Sequence, residues 1–319
     1  MTIIIDKSKV EKNFDVALVG LGNVGFGKYL SRREDLLLDH YSAIKNQNTL
    51  NLVLCSDKRI PDGLQEFAVN DVKEISSLNV DLLVISTSTE THLNVIETFL
   101  KQNSARMILI EKPCTGSIHE INQLKKLLEM RVETEIFVNY HRNYNDIFID
   151  AFSNKAMGKL QCGVVHYSNG ALNNASHALS LIFPMLEDVV GIETFGSSRI
   201  KKFQDLDFVL ENSDGTKVVF LATNEELYSN FRLELDFDHG VVSYDSAKGE
   251  IQTRMRVVDP DFNGRRNLDP VGSTVSTNER KGFQYVYNFL VSKLGNEKVN
   301  PRIGINLDAA IKIHEIFEQ

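Results

Sequence analysis

Three groups of residues in this sequence have the types and spacing to do chemistry. The first is Gly20, Gly22 and Gly25, spaced G-x-G-x-x-G, with Asn23 and Val24 between the last two. Glycines so placed let a strand turn tightly, let backbone come against a diphosphate, and let the next helix pack close. That helix would aim its N-terminal N–H groups and the positive end of its dipole at the phosphates. The second group is Glu111-Lys112-Pro113. Lys112 either faces a ligand crevice at the tip of a strand or sits solvated in a turn. Pro113 restricts it to extended backbone, and the bond before a proline can be cis. The third is His177. An imidazole with an intrinsic pKa near 6.5 suits proton transfer at neutral pH. Taken alone, it reads as a core or capping histidine. His40, His119, His141, His166, His239 and His314 show no H-x-x-x-H or H-E-x-x-H spacing, so no metal site is expected.

The elements that must position these groups follow from apolar patterning. Val16–Val19 is a short apolar run ending at Gly20, and a helix is expected to start near Asn23. A second strand, Asn51–Cys55, runs into Ser56-Asp57-Lys58-Arg59. Asp57 is placed to accept hydrogen bonds from adenosine ribose hydroxyls, which favours NAD; Lys58 and Arg59 keep NADP as the alternative, and an exposed turn is the plain structural role. Asp81–Ile85 and Arg106–Ile110 read as parallel strands buried on both faces. Between them Thr87, Ser88 and Thr89 precede a helical pattern of Leu93, Ile96, Phe99 and Leu100, with Ser88 or Thr89 as its cap and His92 packing or bonding locally in its first turn. A helix through Ile121–Leu128 and a strand Glu135–Tyr140 lead to His141-Arg142.

Beyond residue 142 the pattern changes. Asn143–Phe152 reads as a helix and Leu160–Tyr167 as a strand. Asp207–Leu210, Lys217–Leu221 and Phe231–Phe237 include alternating apolar positions, and Asp238-His239-Gly240 reads as a hairpin turn before Val241–Tyr244. A largely antiparallel second sheet is expected, one face under helices and the other facing solvent or a partner. Asn278–Leu294 and Asn306–Phe317 read as closing helices. The division expected is residues 1–142 and 143–319, with the 306–317 helix as a candidate to pack back on the first domain.

Composition bounds the function. The 319 residues are 42% hydrophobic and 24% charged, with a net charge of −8. That is ordinary for a globular protein of about two domains, and its acidity argues against nucleic-acid binding. Three cysteines without metal-ligand or disulfide spacing indicate a reducing, cytoplasmic setting. No signal-peptide pattern and no run long enough to cross a membrane stands out.

Gly20–Gly25, Thr87–His92, Glu111-Lys112-Pro113 and Asn139-Tyr140-His141-Arg142 together resemble the glucose–fructose oxidoreductase, inositol dehydrogenase and rhizopine-catabolism (Gfo/Idh/MocA) family. The likeness spans nearly the whole chain. It implies an α/β protein: an N-terminal Rossmann dinucleotide-binding domain, then an α/β domain with an open, mostly antiparallel sheet. It also implies NAD(P)-dependent oxidation or reduction of a carbinol in a sugar, nucleotide sugar or cyclitol. Thr87, Thr89, His92, Glu111 and Lys112 would join the glycine loop and Asp57 around the cofactor. Tyr140, Arg142, Asn173 and Asn174 would position the substrate. Homodimers or homotetramers would form through the second sheet.

The family's usual Asp-x-x-x-His stands here as Asn173 and His177, and the wider string resembles a pattern from bacterial surface-polysaccharide gene clusters. The resemblance makes His177 the base that takes the hydroxyl proton as hydride leaves, with Lys112 bonded to the same oxygen. Asparagine cannot carry the negative charge that raises a histidine's basicity. Two other functions use the same residues: a glycosidase that oxidises its substrate only transiently, and a dinucleotide-binding regulator without turnover. Asn173, together with Ser180 where relatives often carry an acid, keeps the last open.

Overall fold

In a computed structural model, the described residues are 13–27, 37–102, 105–129, 133–186, 189–195, 205–224 and 226–317. The chain divides into two compact units. The first holds residues up to Glu111, Thr115–Asn139 and Phe283–Pro301; the second holds Lys112–Cys114, Tyr140–Gly282 and Arg302 onward. The boundary expected at 142 is thus interrupted twice. Lys112 leaves with the second unit, and a segment from near the C-terminus returns to the first.

The first unit is a parallel sheet of six strands: β1 (Phe14–Val19), β2 (Leu50–Ser56), β3 (Ala68–Val69), β4 (Val80–Ile85), β5 (Ala105–Ile110) and β6 (Glu135–Val138). Their order is β3-β2-β1-β4-β5-β6, that of a dinucleotide-binding Rossmann sheet. Val16, Ala17, Leu18, Leu82–Ile85 and Ile108–Ile110 have no exposed surface. That is why these strands read as unbroken apolar runs rather than alternating ones. Its helices are α1 (His40–Lys45), α2 (Val72–Ile75), α3 (His92–Gln102) and α4 (Ile118–Glu129). Asp39 and Asp71 cap α1 and α2 by accepting backbone N–H bonds from Ser42 and Lys73. After the glycine loop the chain makes a wide turn over Asn23–Gly27, in which the N–H groups of Phe26 and Gly27 both donate to the Gly22 carbonyl at 2.9 Å. The remainder of the helix expected there lies outside the described residues.

The second unit opens with α5 (Asp146–Phe152), capped by Asn145. The turn His141–Tyr144 occupies the start of the expected 143–152 helix. Then come β7 (Leu160–Tyr167), α6 (Ser176–Ile182), β8 (Val189–Phe195), β9 (Asp207–Asn212), β10 (Lys217–Ala222), β11 (Phe231–Phe237), β12 (Gly240–Asp245), β13 (Glu250–Val258), β14 (Arg266–Leu268) and β15 (Ser273–Ser276). The sheet runs β14-β13-β12-β11-β7-β10-β9-β8, with β15 also on β13. It is antiparallel except between β7 and β10. Phe231, Leu233 and Leu235 are buried on one face of β11, with Arg232 and Glu234 exposed between them.

α7 (Gly282–Leu294) and α8 (Leu307–Ile316) close the chain. α7 beyond its first residue belongs to the first unit: Phe289 packs edge-on against Phe137, with ring centres 5.2 Å apart. α8 packs on α6 inside the second unit, which corrects its expected return to the first domain. Its apolar residues Ala310, Ile311 and Ile313 are buried there.

One polar network crosses the first unit. His40 is fully buried; its Nδ1 lies 2.9 Å from the Tyr287 hydroxyl and its Nε2 3.0 Å from Glu111 Oε1. Asn139 Nδ2 donates to the same oxygen at 2.5 Å. A neutral ring donating from Nε2 to an ionised Glu111, and accepting at Nδ1 from the phenol, satisfies each bond. Burial, with the Glu111 and Asp39 carboxylates nearby, pushes the Tyr287 hydroxyl well above its ordinary pKa, so it stays a neutral donor. His40→Ala should therefore lower unfolding free energy by about 3 kcal/mol, combining a cavity with unpaired buried groups. Tyr287→Phe should lower it by about 1 kcal/mol. Urea denaturation checks both; a His40→Ala protein within about 0.5 kcal/mol of the parent would contradict the network.

Candidate functional site

The first unit's cavity forms where the strand order reverses, at the carboxyl ends of β1 and β4. Gly20 extends the β1 ladder, its N–H donating to the Ser56 carbonyl at 2.8 Å, and then turns at φ +98°. A Cβ on Gly20 would sit 2.5 Å from the Ser86 carbonyl carbon, and a Cβ on Gly25 would collide with the Gly20 carbonyl oxygen. These two glycines are needed by the protein's own packing. A Cβ on Gly22 would meet no protein atom within 4 Å. Its backbone borders open space, as expected of the glycine that lets a diphosphate approach.

The cavity has a volume of about 400 Å3, and Gly20, Gly22, Asp57 and Thr87 line it as anticipated. Thr87 Oγ1 is buried there without a hydrogen-bond partner. Such an atom calls for a ligand group. Asp57 braces the loop: Oδ2 accepts from the Leu21 N–H at 2.6 Å and Oδ1 from the Arg59 N–H at 2.9 Å. Each oxygen keeps a further lone pair that could take a ribose hydroxyl. The open Gly22, the orphaned Thr87 hydroxyl and the acidic brace together fit a nicotinamide dinucleotide.

Other expected cofactor residues are placed differently. His92 is buried, its Nε2 3.0 Å from the Thr87 carbonyl oxygen, which is the local bonding role. Asn23, Val24 and Thr89 are not among the cavity's lining residues, whereas Thr91 and Asn94 are. Ser88, at the cap position, makes no side-chain capping bond; instead its carbonyl accepts from the Thr91 hydroxyl. Glu111 Oε1 is engaged by His40 and Asn139. Asn70 and Asp71, also in the lining, were missed because β3 has two residues and α2 four, too short to leave a periodic signal.

In the second unit, Lys112, Tyr140, Asn173 and His177 come together. The Lys112–Pro113 bond is cis. Lys112 Nζ donates to the Asn173 backbone carbonyl at 2.6 Å and also to its side-chain oxygen. Asn173 in turn donates from Nδ2 to the Asn169 carbonyl at 3.1 Å. The turn carrying it begins at two positive-φ residues, Asn169 at 71° and Gly170 at 88°, and runs through Ala175 into α6.

His177 lies in the first turn of α6, 4% exposed. The Tyr140 ring stands edge-on to it at 5.4 Å between centres and the His141 ring at 5.0 Å. Nδ1 is buried with no hydrogen-bond partner. Burial, and then the charges of Lys112, His141 and Arg142, hold His177 well below the usual histidine pKa. Its resting form is the neutral imidazole.

Two expected substrate contacts, Tyr140 and Arg142, are corrected. Tyr140 is 1% exposed; burial raises its hydroxyl above the ordinary range, offset in part by a bond with Ser176, so it packs behind His177. Arg142 is buried: Nε donates to Glu279 at 2.7 Å and the guanidinium stacks 4.2 Å over Phe231. Burial opposes its charge, but Glu279 and Tyr244 more than offset that and raise its pKa. Asn174 donates to the Ser168 carbonyl at 2.8 Å, fastening the turn. Ser180 is buried and donates to Asn143 Oδ1 at 2.6 Å. Among the described residues no group of three or more His, Cys, Asp or Glu is placed to hold a metal, and no helix is long and apolar enough to cross a membrane.

Residues 14–140 match the family described as "Oxidoreductase family, NAD-binding Rossmann fold", Gfo/Idh/MocA. No curated protein matches the chain by sequence. Solved structures do. A myo-inositol dehydrogenase from Corynebacterium glutamicum is 16% identical, with 96% of this chain and 95% of that one covered and a TM-score of 0.70. A scyllo-inositol dehydrogenase from Lactobacillus casei is 13% identical over 97% and 96%, TM-score 0.69. A super-repressor mutant of Gal80p from Saccharomyces cerevisiae is 11% identical over 96% and 95%, TM-score 0.74. At these identities the likeness is one of fold. The class is that of an NAD(P)-dependent dehydrogenase or reductase. The match to the Gfo/Idh/MocA oxidoreductase family model covers the Rossmann segment, less than half of the chain.

Gly22 gives a clean test of the dinucleotide site. Gly22→Ala should change stability by less than about 0.5 kcal/mol, because its methyl meets no protein atom. The same methyl should weaken NAD+ and NADP+ binding at least about tenfold, near 1.4 kcal/mol, in calorimetric titration. Unchanged affinity would place the diphosphate elsewhere.

Proposed function

We propose that this protein transfers a hydride between a nicotinamide dinucleotide and a carbinol carbon of a sugar, nucleotide sugar or cyclitol. The observation that carries the reading is the pairing of Lys112 with His177. An ammonium fixed on residue 173 and a desolvated imidazole four residues further on belong to one unit, close enough that the charge of one depresses the pKa of the other. A cation and a hydrogen-bonding ring are the groups that an oxygen alternating between alcohol and carbonyl requires. The inositol dehydrogenases of like fold support the substrate class.

When bound, the nicotinamide supplies the hydride acceptor or donor, and the protein's part is orientation and proton handling. Gly20, Gly22, Asp57 and Thr87 would hold the dinucleotide. Lys112 would meet the carbinol oxygen and stabilise charge as the C–H bond breaks. Asn173 would keep the ammonium in place, and the Tyr140 and His141 rings would fix the plane of His177. The open face of the second sheet, where Val164 stands exposed beside Glu234, Ser243 and Gln252, would serve assembly into a homodimer or homotetramer.

Lys112→Ala should keep its dinucleotide affinity and lose about 10²–10³-fold in turnover, the range of one lost donor to a developing negative charge. The assay is nicotinamide absorbance across a panel of sugars and cyclitols. Wild-type turnover in Lys112→Ala would remove Lys112 from the reaction. Product formed with no net change in that absorbance would identify the transient-oxidation glycosidase instead.

A further inference from the structure

Glu111 is the last residue of the first unit before the chain passes to Lys112, and Asn139 is the last before Tyr140. We propose that the buried His40 is a positioning residue for the reaction: by holding the Glu111 carboxylate it fixes the tip of β5, and with it the residue from which the Lys112 side chain starts. This rests on the role given to Lys112 above.

Glu111 is held at both ends. Its N–H donates to the Ile85 carbonyl at 2.9 Å, one step beyond β5, and the Asn139 N–H donates to the Ile110 carbonyl at 2.8 Å. The sheet therefore sets the backbone at both tips. At the far end of the side chain, Glu111 Oε1 receives His40 Nε2 and Asn139 Nδ2. A glutamate anchored at its N–H and at its carboxylate is confined to few rotamers. Lys112 continues from that residue, and Pro113 after it confines the lysine backbone to extended geometry. Asn173 receives the other end of the lysine, Nζ.

His40 comes from neither strand. It opens α1, directly after the cap: Asp39 Oδ1 accepts from the Ser42 N–H at 2.8 Å and Oδ2 from the Ser42 hydroxyl at 3.0 Å. The ring is set in turn by α7. The Tyr287 hydroxyl lies 2.9 Å from Nδ1, and the Phe283 ring stands 4.8 Å away between centres. Phe283 is the residue at which the chain re-enters the first unit, and its N–H donates to the Leu37 carbonyl, just ahead of α1, at 3.2 Å. The imidazole thus ties the tip of β5 to two helices whose own starts are fixed.

Stability alone does not require this arrangement. A buried carboxylate and its partners can often give way to packed apolar residues without loss of stability, whereas a fully bonded set specifies one geometry. The geometry specified here ends one residue before the ammonium. A shift of about 1 Å in a reacting group, caused by a change remote from it, can lower a rate by about 10²-fold. Loss of the Nε2 bond should therefore be felt in turnover. Dinucleotide affinity should not change, because Gly20, Asp57 and Thr87 line their cavity from the ends of β1, β2 and β4.

Two amides separate the two ring nitrogens. Glutamine at position 40 keeps a donor near the place of Nε2, and asparagine keeps an acceptor near that of Nδ1. The full-length protein is assayed with NAD+ and whichever sugar or cyclitol of the panel above the parent turns over fastest. His40→Gln should hold kcat within about threefold of the parent, while His40→Asn loses about 10–100-fold in kcat with KM and the Kd for NAD+ within about threefold. Equal kcat in the two variants overturns the proposal, whatever their melting temperatures. Glu111→Leu, which removes the carboxylate instead of stranding it, takes the place of His40→Asn should that variant not fold; parent-like kcat there overturns the proposal. A readout without turnover is the rate at which acetic anhydride acetylates Lys112, followed by peptide mass spectrometry. It should rise in His40→Asn, as Nζ loses its fixed place on Asn173, and stay at the parent value in His40→Gln; equal rates in the two also overturn the proposal. A parent that turns over no carbinol would count against the function proposed above and leave the acetylation measurement standing, so the two ideas fail separately.

Discussion

The grip of Asn173 on the Lys112 ammonium is the interaction on which the second unit's chemistry depends. Two oxygens of one residue, backbone and side chain, receive the same Nζ. The residue that presents them is itself fastened by the Asn169 carbonyl, at a turn whose first residues adopt left-handed backbone. A lysine side chain free in solvent would lose rotamer entropy on being fixed, up to about 2 kcal/mol. Here the position is set by a rigid turn rather than by a mobile carboxylate. An aspartate at 173 would hold the lysine as well and would also cancel part of its field. Asparagine holds it and leaves the field, which adds to the burial that already disfavours charge on the neighbouring imidazole.

A different constraint governs the first unit. The backbones of Gly20 and Ser86 approach closely enough that no side chain fits at residue 20, and the Ser86 hydroxyl donates to the Gly20 carbonyl at 2.8 Å. Gly25 lies under that same carbonyl. The loop is thus stitched to the ends of β1 and β4 from below, while Gly22 faces outward with nothing above it. Asp57, from the end of β2, ties down Leu21 between them. Rigid on one side and open on the other, the loop is shaped before any ligand arrives, which limits the ordering cost of binding.

What could be seen in the sequence tracks how local the determining contacts are. β1, β4 and β5 were legible because burial on both faces demands uninterrupted apolar residues. β11 was legible because its two faces differ so sharply. β13 to β15 were not, since Met255, Val257, Val258 and Val275 are exposed and no alternation results. The excursion of Lys112–Cys114 and the return of α7 depend on contacts between residues far apart in the chain. His40 and Tyr287, bonded to one another, are 247 residues apart. Glu111 drew attention as part of Glu-Lys-Pro, but its neighbours in sequence say nothing of His40. Tyr140 and Arg142 are expected at the substrate only through the family resemblance, and burial turns both inward. The glycine loop, Thr87, Lys112, Asn173 and His177 stand out in the sequence because short motifs carry them, and Asp57 because it ends a strand.

Two of the buried histidines, His40 and His177, make the difference between structural and chemical polar groups concrete. His40 has both nitrogens answered, by a phenol and a carboxylate, and lies inside a closed set of bonds. Such a set stabilises one arrangement and has no free valence for a ligand. His177 has an equally buried ring but an unanswered Nδ1, two aromatic edges in place of polar partners, and a lysine close enough to oppose its protonation. An arrangement so unfavourable to the charged ring would be lost if nothing were gained from it, because a better-paired residue would stabilise the helix start. The unanswered nitrogen is the difference: a polar valence that the protein's own fold does not use.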